Sequence, residues 1–194
     1  MPHYFESWSS LRFGAASLVL LAAALLAGSL IKFSDKSFPP MVKTRNSSAL
    51  EWVTKQKEAS DIVMEWKSKD NQGAMLVAYR GLLIDTVLFI PLYSTLIAVV
   101  CFWAAHVSAT GSVIQKTMLV LAWCGWIAGA LDLVENAGIF VQECFRWHAV
   151  ALPTAMVAWI KWRLAIGVSL VAVVRLLVAA VYFVVALLLR KNGV

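Results

Sequence analysis

The 194-residue chain has few charged residues for its length, and this shortage excludes an ordinary soluble domain. Charged residues make up 14% of the sequence and hydrophobic residues 61%, which is far from the balance of soluble proteins. The net charge of +6 is scattered between apolar segments, whereas nucleic-acid-binding proteins cluster basic residues on a polar face. We therefore expect an integral membrane protein with no nucleic-acid partner.

Histidine and cysteine are too few, and too dispersed, to indicate a metal or redox centre. His3, His106 and His148 each lie near a predicted helix end, while haem and di-metal sites in bundles recruit histidines from facing helices. The three cysteines show no Cys-x-x-Cys pairing or metal-ligand spacing. Cys101 and Cys124 lie inside apolar segments, where a thiol is usually a small core residue. The sequence therefore predicts no metal and no cofactor.

Long apolar segments are abundant, and four of them reach the ~20 residues needed to span a ~30 Å hydrocarbon core. They are residues 11–31, 82–105, 117–141 and 164–189. The sequence therefore predicts an all-α fold. We expect a single membrane domain over residues 1–194, built as a four-helix transmembrane bundle.

The connection between the first and second spans, residues 33–80, also carries helical signals. Ser48-x-x-Glu51 has the spacing of a capping box, and apolar residues then recur on one face at helical spacing. We expect one extramembrane helix over about residues 49–69, either packed on the bundle, lying in the headgroup layer or bound to a partner. A shorter apolar segment, 149–160, is interrupted by Pro153 and predicts an interfacial or re-entrant stretch.

The distribution of basic residues predicts the orientation in the membrane. We name the surface that holds the 33–80 connection side A and the surface that holds both termini side B. Lysine and arginine fall mainly on side A. The positive-inside rule then predicts a multi-pass cell-membrane protein with a cytoplasmic 33–80 connection.

Three polar residues, Asp132, Glu135 and Asn136, interrupt the third span. A charged side chain at the centre of a membrane helix costs roughly 2.5 to 3.5 kcal/mol on insertion scales. At about 100° per residue, the three share one helix face with Gly125-x-x-x-Gly129, a small-residue pair that lets a neighbouring helix approach closely. We expect this face to contact protein, either within the bundle or between protomers.

The second and fourth spans supply expected partners for these groups. Asp85 and Tyr93 lie on the second span, and antiparallel packing would bring Asp85 to the membrane level of Glu135. Arg175 lies deep inside the fourth apolar segment. An arginine that faces lipid is unfavourable, whereas one that pairs with a buried carboxylate is common. We therefore predict that Arg175 pairs with Asp132 or Glu135.

The expected cluster has two interpretations. It could be a structural network that fixes helix order. It could equally be a polar pocket on side A, in which the surplus of acids over arginine binds a cation, a lipid headgroup or a proton. The sequence identifies no catalytic residue, and the candidate residues for this network or ligand site are Asp85, Tyr93, Asp132, Glu135, Asn136 and Arg175.

Three motifs mark the last three spans: Asp85-x-x-x-Phe89-x-Pro91-Leu92-Tyr93, Asp132-x-x-Glu135-Asn136 and Trp159-x-Lys161-Trp162. At these motifs the chain resembles a group of small bacterial four-helix membrane proteins. The resemblance implies four spans and no particular activity. With it, we expect a location in the bacterial inner membrane.

The leading hypothesis is a non-enzymatic membrane protein that binds a lipid or another ligand, or serves as an accessory subunit. Its expected partners are membrane lipids and a homo-oligomer or larger membrane complex. One alternative is a lipid-acting membrane enzyme with Asp132 or Glu135 as general acid–base. The other is a proton- or cation-coupled transporter, which four spans without an evident internal repeat favour less.

Overall fold

The computed structural model of the protein describes residues 8–39, 47–68, 71 and 73–191. Regular structure in this part of the chain is helical throughout. In chain order the helices are α1 (Ser10–Lys36), α2 (Ser47–Trp52), α3 (Gln56–Trp66), α4 (Ala74–His106), α5 (Val113–Phe145) and α6 (Ala151–Lys191). Helices α1, α4, α5 and α6 are long and apolar enough to cross a membrane, which confirms the predicted four-helix membrane bundle.

Helices α4, α5 and α6 form the core of the bundle, and α1 packs mainly on α4. The close approach of α4 to α5 requires glycine at two positions of α5. A Cβ atom at Gly125 would lie 2.8 Å from Ile97 Cγ2, and one at Gly129 would lie 2.7 Å from Ser94 Cβ. The Gly125-x-x-x-Gly129 face is therefore used inside the bundle, which settles an alternative that the sequence left open.

Helix α6 packs on α5 along a stripe of small residues at three- and four-residue spacing. The buried alanines of this stripe are Ala151, Ala155, Ala158, Ala165 and Ala172. Lys161 belongs to the same stripe, and only 5% of its surface is exposed. The stripe therefore carries a lysine into the interior of the bundle.

Helix α4 contains one π-helical turn, Asp85–Phe89, which ends two residues before Pro91. Pro91 has no N–H group, and its ring would clash with the preceding turn of a regular α-helix. In the wider turn, the Ile90 N–H donates to the Asp85 carbonyl five residues earlier. Such turns occur frequently at functional sites, and this one brings Asp85 and Phe89 to the cavity described below.

The side-A connection is helical as predicted, but its boundaries differ. The expected helix over 49–69 is divided into α2 and α3, with residues 53–55 outside both helices. Val53 and Thr54 are β-branched and lower the local helix propensity. Val53 is instead buried in an apolar cluster with Leu50 and Trp66, so the connection packs on the bundle.

The segment 149–160 is not a separate element, so the predicted interfacial or re-entrant stretch is corrected. A 3₁₀ turn, His148–Val150, leads directly into α6, which continues without a break to Lys191. Pro153 is the third residue of α6. A proline is tolerated in the first helical turn because its missing N–H would have no partner there.

Candidate functional site

Lys161 lies at the centre of three carboxylates from two other helices. Its Nζ atom is 2.7 Å from Glu135 Oε2, 2.9 Å from Asp132 Oδ1 and 3.3 Å from Glu51 Oε1. The contact with Glu135 is an ion pair without hydrogen-bond alignment. Two of the three N–H donors of the ammonium group therefore make hydrogen bonds, to Asp132 and Glu51, and Glu135 contributes charge compensation. We call these four residues the Lys161 cluster.

Two aromatic residues extend the Lys161 cluster. The Tyr93 hydroxyl donates to Asp132 Oδ2 at 2.8 Å, so both oxygens of that carboxylate are engaged. Trp162 Nε1 donates to Glu51 Oε1 at 2.7 Å. The cluster thereby connects α4, α5 and α6 with the short extramembrane helix α2.

Asp85 and Asn136 form a second polar pair beside the cluster. Asn136 Nδ2 donates to Asp85 Oδ2 at 2.7 Å and to Thr86 Oγ1 at 3.0 Å. Among the residues that the structure describes, no basic side chain forms an ion pair with Asp85 and no donor reaches its Oδ1. Asp85 therefore keeps an open acceptor atom next to the Lys161 cluster.

The predicted pairing of Arg175 with Asp132 or Glu135 is wrong. The Arg175 guanidinium donates to Ser108 Oγ and to the Val107 carbonyl, both at 3.1 Å, at the side-B end of α4. Arg175 lies 14 residues beyond Lys161 on α6, a distance of ~21 Å at 1.5 Å per residue. No arginine side chain bridges that distance.

The error follows from the predicted start of the fourth helix. The sequence placed it at residue 164, but α6 begins at Ala151. The earlier start brings Lys161 to the membrane level of Asp132 and places Arg175 much closer to side B. Arg175 instead donates to the Val107 carbonyl at the C-terminus of α4, where a positive charge is favourable.

The structure thus brings together five of the six predicted residues, and it adds three that sequence reasoning missed. The five are Asp85, Tyr93, Asp132, Glu135 and Asn136. The missed residues are Lys161, Glu51 and Trp162. Lys161 had one signal, its place in the alanine stripe, but a lysine between tryptophans at a predicted membrane surface indicates an interfacial anchor. The capping-box spacing of Glu51 indicated only a helix start. Nothing in the sequence linked Glu51 to this site, because it lies 110 residues from Lys161 in the chain.

A further buried acid lies outside this site, near the side-A end of α5. Glu143 has no exposed surface, and neither of its carboxylate oxygens has a hydrogen-bond partner among the described residues. The nearby Lys67 Nζ donates to the Glu143 backbone carbonyl at 2.9 Å. Glu143 does not line the cavity at the Lys161 cluster, so we do not include it in the site.

The Lys161 cluster forms the polar end of a cavity of about 660 Å³ between α1 and α6. Aromatic residues line the same end, and aliphatic residues line the remainder. The polar and aromatic group includes Glu51, Asp85, Asp132, Glu135, Lys161, Phe89, Tyr93 and Trp162. The aliphatic group includes Leu96, Ile97, Ala165, Ile166, Leu170 and Val173. The cavity is therefore amphipathic, with a polar and aromatic end and an aliphatic remainder.

A second cavity of about 400 Å³ continues the aliphatic part towards side B. The two cavities share Leu96, Ile97, Ser169 and Val173, so they form one groove. From Lys161 to Val173 the groove follows 12 residues of α6, which is ~18 Å at 1.5 Å per residue. That length is close to half of a ~30 Å hydrocarbon core, or one leaflet.

The groove opens sideways rather than into the centre of the bundle. Three of its lining residues are more than half exposed: Leu18 at 68%, Ile166 at 61% and Leu170 at 63%. Inside it, Ser17 Oγ is buried and has no hydrogen-bond partner among the described residues. In a bilayer the open side faces the hydrocarbon chains of the lipids.

Comparisons with protein-family models, curated proteins and solved structures give no match to this chain. The chemistry of the site therefore rests on its own geometry. Within the described residues, no group of three histidine, cysteine, aspartate or glutamate side chains is placed to hold a metal ion. The carboxylates converge on the Lys161 ammonium group instead, and the unfilled space beside them is amphipathic.

Proposed function

We propose that the protein is a non-enzymatic membrane protein that binds a lipid or a similar amphiphile in the groove between α1 and α6. The observation that carries this proposal is the continuity of the polar end with the aliphatic groove. Ligand sites are typically apolar cavities with a few convergent polar groups that fix orientation. Here the polar groups stand at one end, as an amphiphile requires.

The dimensions and access of the groove support the same proposal. Its length of ~18 Å, at 1.5 Å per residue, accommodates a hydrocarbon chain that spans one leaflet. Its lateral opening at Ile166 and Leu170 would let a lipid enter from the bilayer without leaving the hydrocarbon phase.

The state of the carboxylates favours binding over acid–base catalysis. Asp132 uses one oxygen for Lys161 and the other for Tyr93, and Glu135 is paired with Lys161. A general acid–base must reach a reacting atom of the substrate within hydrogen-bond distance. Because Asp132 and Glu135 are already paired, they are better suited to recognising a ligand than to transferring a proton to it.

The basic residues of side A also support a membrane orientation for the site. Under the positive-inside rule, side A is cytoplasmic, so the polar end would recognise headgroups of the cytoplasmic leaflet. The location expected from the resemblance is the bacterial inner membrane. A homo-oligomer or larger membrane complex stays part of the proposal, because the exposed outer faces of the helices would remain available to partners.

A bulky side chain introduced into the groove tests the proposed lipid binding. Ser169 lines both cavities, and Ser169→Phe would fill their junction. We expect the wild-type protein, purified in a mild non-ionic detergent, to retain a membrane lipid in native mass spectrometry. We expect Ser169→Phe to reduce the retained fraction by about tenfold or more, which corresponds to a loss of ~1.4 kcal/mol in binding.

The matched control is Val171→Phe, since Val171 is 45% exposed and does not line either cavity. This variant adds the same ring to the lipid-facing side of α6 and should retain lipid as the wild type does. Equal lipid retention by Ser169→Phe and the wild type would contradict the proposed binding groove.

A further inference from the structure

The polar end of the groove has an excess of negative charge. Five carboxylates line the cavity at this end, and Lys161 is the basic residue that lines it among the described ones. The carboxylates are those of Asp35, Glu51, Asp85, Asp132 and Glu135. Without Asp35, the formal charges of the other five side chains leave an excess of three negative charges. Isolated buried charges are strongly unfavourable in an apolar environment, so a positive group in the cavity would be stabilised.

Aromatic side chains line the same end. Phe89, Tyr93 and Trp162 face the cavity beside the carboxylates. Rings attract cations through their faces, and aromatic side chains are the usual recognition elements for quaternary ammonium groups. The Trp162 ring already lies 5.0 Å from an ammonium group, Lys161 Nζ, so this environment accommodates a cationic nitrogen.

Among the described residues that line this cavity, no basic group is free to bind an anionic headgroup. Lys161 Nζ forms ion pairs with three carboxylates and donates hydrogen bonds to two of them. A phosphate or sulfate group near the polar end would lie next to these acids, and like charges repel more strongly where the effective dielectric constant is low. The lining therefore discriminates by the sign of the headgroup charge.

We propose that the ligand is an amphiphile whose headgroup carries a cationic nitrogen, either an amine or a quaternary ammonium group. The nitrogen lies between the aromatic rings and the open Oδ1 of Asp85, and the hydrocarbon chain lies in the groove towards side B. This inference rests on the proposed amphiphile-binding function. The nitrogen belongs either to a simple alkylammonium compound or to a zwitterionic lipid headgroup.

The test compares amphiphiles of one chain length that differ in headgroup charge. Decyltrimethylammonium, decanol and decyl sulfate are titrated into the full-length protein in nanodiscs, and tryptophan fluorescence and thermal stability report binding. We expect the ammonium compound to bind about tenfold more tightly than decanol, as a cation–π and charge contribution predicts. Decyl sulfate should bind more weakly than decanol.

Decylphosphocholine identifies the source of the nitrogen. Weaker binding than that of decyltrimethylammonium would assign the headgroup to a cation without phosphate. Equal binding would assign it to a zwitterionic lipid headgroup. Either result supports recognition of a cationic nitrogen, whereas binding of decyl sulfate as tight as that of decyltrimethylammonium would overturn it.

Two variants test the residues. Asp85→Asn should lower the preference for the ammonium compound over decanol by about tenfold. Glu51→Gln should also lower the preference for the ammonium compound. It serves as the second variant because Glu51 lies on the extramembrane helix α2, outside the membrane-spanning helices. Asp61→Asn, at an exposed position of α3, is the matched control and should retain the wild-type preference.

The outcomes separate the two proposals. If Asp85→Asn and Glu51→Gln both retain the wild-type preference, the headgroup inference is overturned. Decanol binding that Ser169→Phe abolishes would still support the amphiphile-binding function in that case. If no decyl compound binds and Ser169→Phe retains lipid normally, the binding function itself fails.

Discussion

Lys161 is a buried lysine whose charge is compensated by three acids. Its side chain is 6% exposed, and those of Asp132 and Glu135 are 6% and 2% exposed. Removing charged groups from water is costly, and the mutual attraction of the ions offsets that cost only when their geometry is good. Each acid is therefore stabilised by the presence of Lys161, and the loss of the lysine would leave a group of buried negative charges without a counter-ion.

Lys161→Met tests this dependence. The methionine side chain fills similar space but has no charge, so we expect the free energy of unfolding to fall by about 3 to 5 kcal/mol, the usual cost of breaking a buried ion pair. Unfolding of the detergent-solubilised protein by sodium dodecyl sulfate measures the change. Lys116→Met, at an exposed side-B position of α5, is the control and should stay within ~0.5 kcal/mol of the wild type.

A double variant separates charge from packing. Lys161→Met combined with Glu135→Gln removes one of the uncompensated acids, so it should be more stable than Lys161→Met alone. A Lys161→Met protein as stable as the wild type would show that the Lys161 cluster does not hold the helices together.

Helix α5 combines two functions on one face. Asp132, Glu135 and Asn136 provide polar contacts, while Gly125 and Gly129 bring α4 close enough to reach them. The Tyr93–Asp132 hydrogen bond lies one turn from the contact between Gly129 and Ser94. The spacing of the glycines therefore determines whether the polar groups of α4 and α5 can meet.

Alanine substitution at two glycines tests the role of this contact. In Gly129→Ala the new Cβ would lie 2.7 Å from Ser94 Cβ, so α4 and α5 must separate. We expect a loss of about 1 to 3 kcal/mol in stability, as for other overpacked interfaces. Gly167→Ala on α6 meets no atom within 4 Å and should be neutral or gain up to ~1 kcal/mol of helix propensity.

Thermal unfolding of both variants in the same detergent measures the difference. If Gly129→Ala and Gly167→Ala have the same effect, the close approach of α4 and α5 would not need a glycine at position 129.

The whole molecule is a three-helix core with a peripheral helix and a cap. Helix α1 packs mainly on α4 and leaves the groove between itself and α6. Helices α2 and α3 pack on the side-A ends of the bundle, and Glu51 on α2 closes the polar end of the cavity. The site thus depends on a membrane part and on an extramembrane part of the same chain.

Single-cysteine labelling tests the proposed orientation of this molecule. In a background without the three native cysteines, Lys57→Cys places a thiol on the exposed surface of α3 on side A, and Lys116→Cys places one on side B. Because the positive-inside rule puts side A in the cytoplasm, an impermeant maleimide should label only Lys116→Cys in intact cells. Lys57→Cys should react after permeabilisation. The reverse pattern would invert the orientation.

Hydropathy and helical periodicity are local properties, and they were sufficient for the bundle and for the polar face of α5. The four spans follow from the length of apolar segments, and the shared face of Asp132, Glu135 and Asn136 follows from 3.6 residues per turn. Tyr93 and Asp85 could be assigned to the same region, because antiparallel neighbours meet at predictable levels. None of these inferences required knowledge of a distant contact.

The basic partner of the acids depended on tertiary structure. Whether Lys161 or Arg175 meets Asp132 depends on where α6 begins and on its register against α5, which the contact between Asp132 and Lys161 defines. An error of about 13 residues in the helix start displaces a side chain by ~20 Å. Glu51 joins the cluster only because α2 folds back over the bundle, and no local pattern in a sequence encodes such a contact.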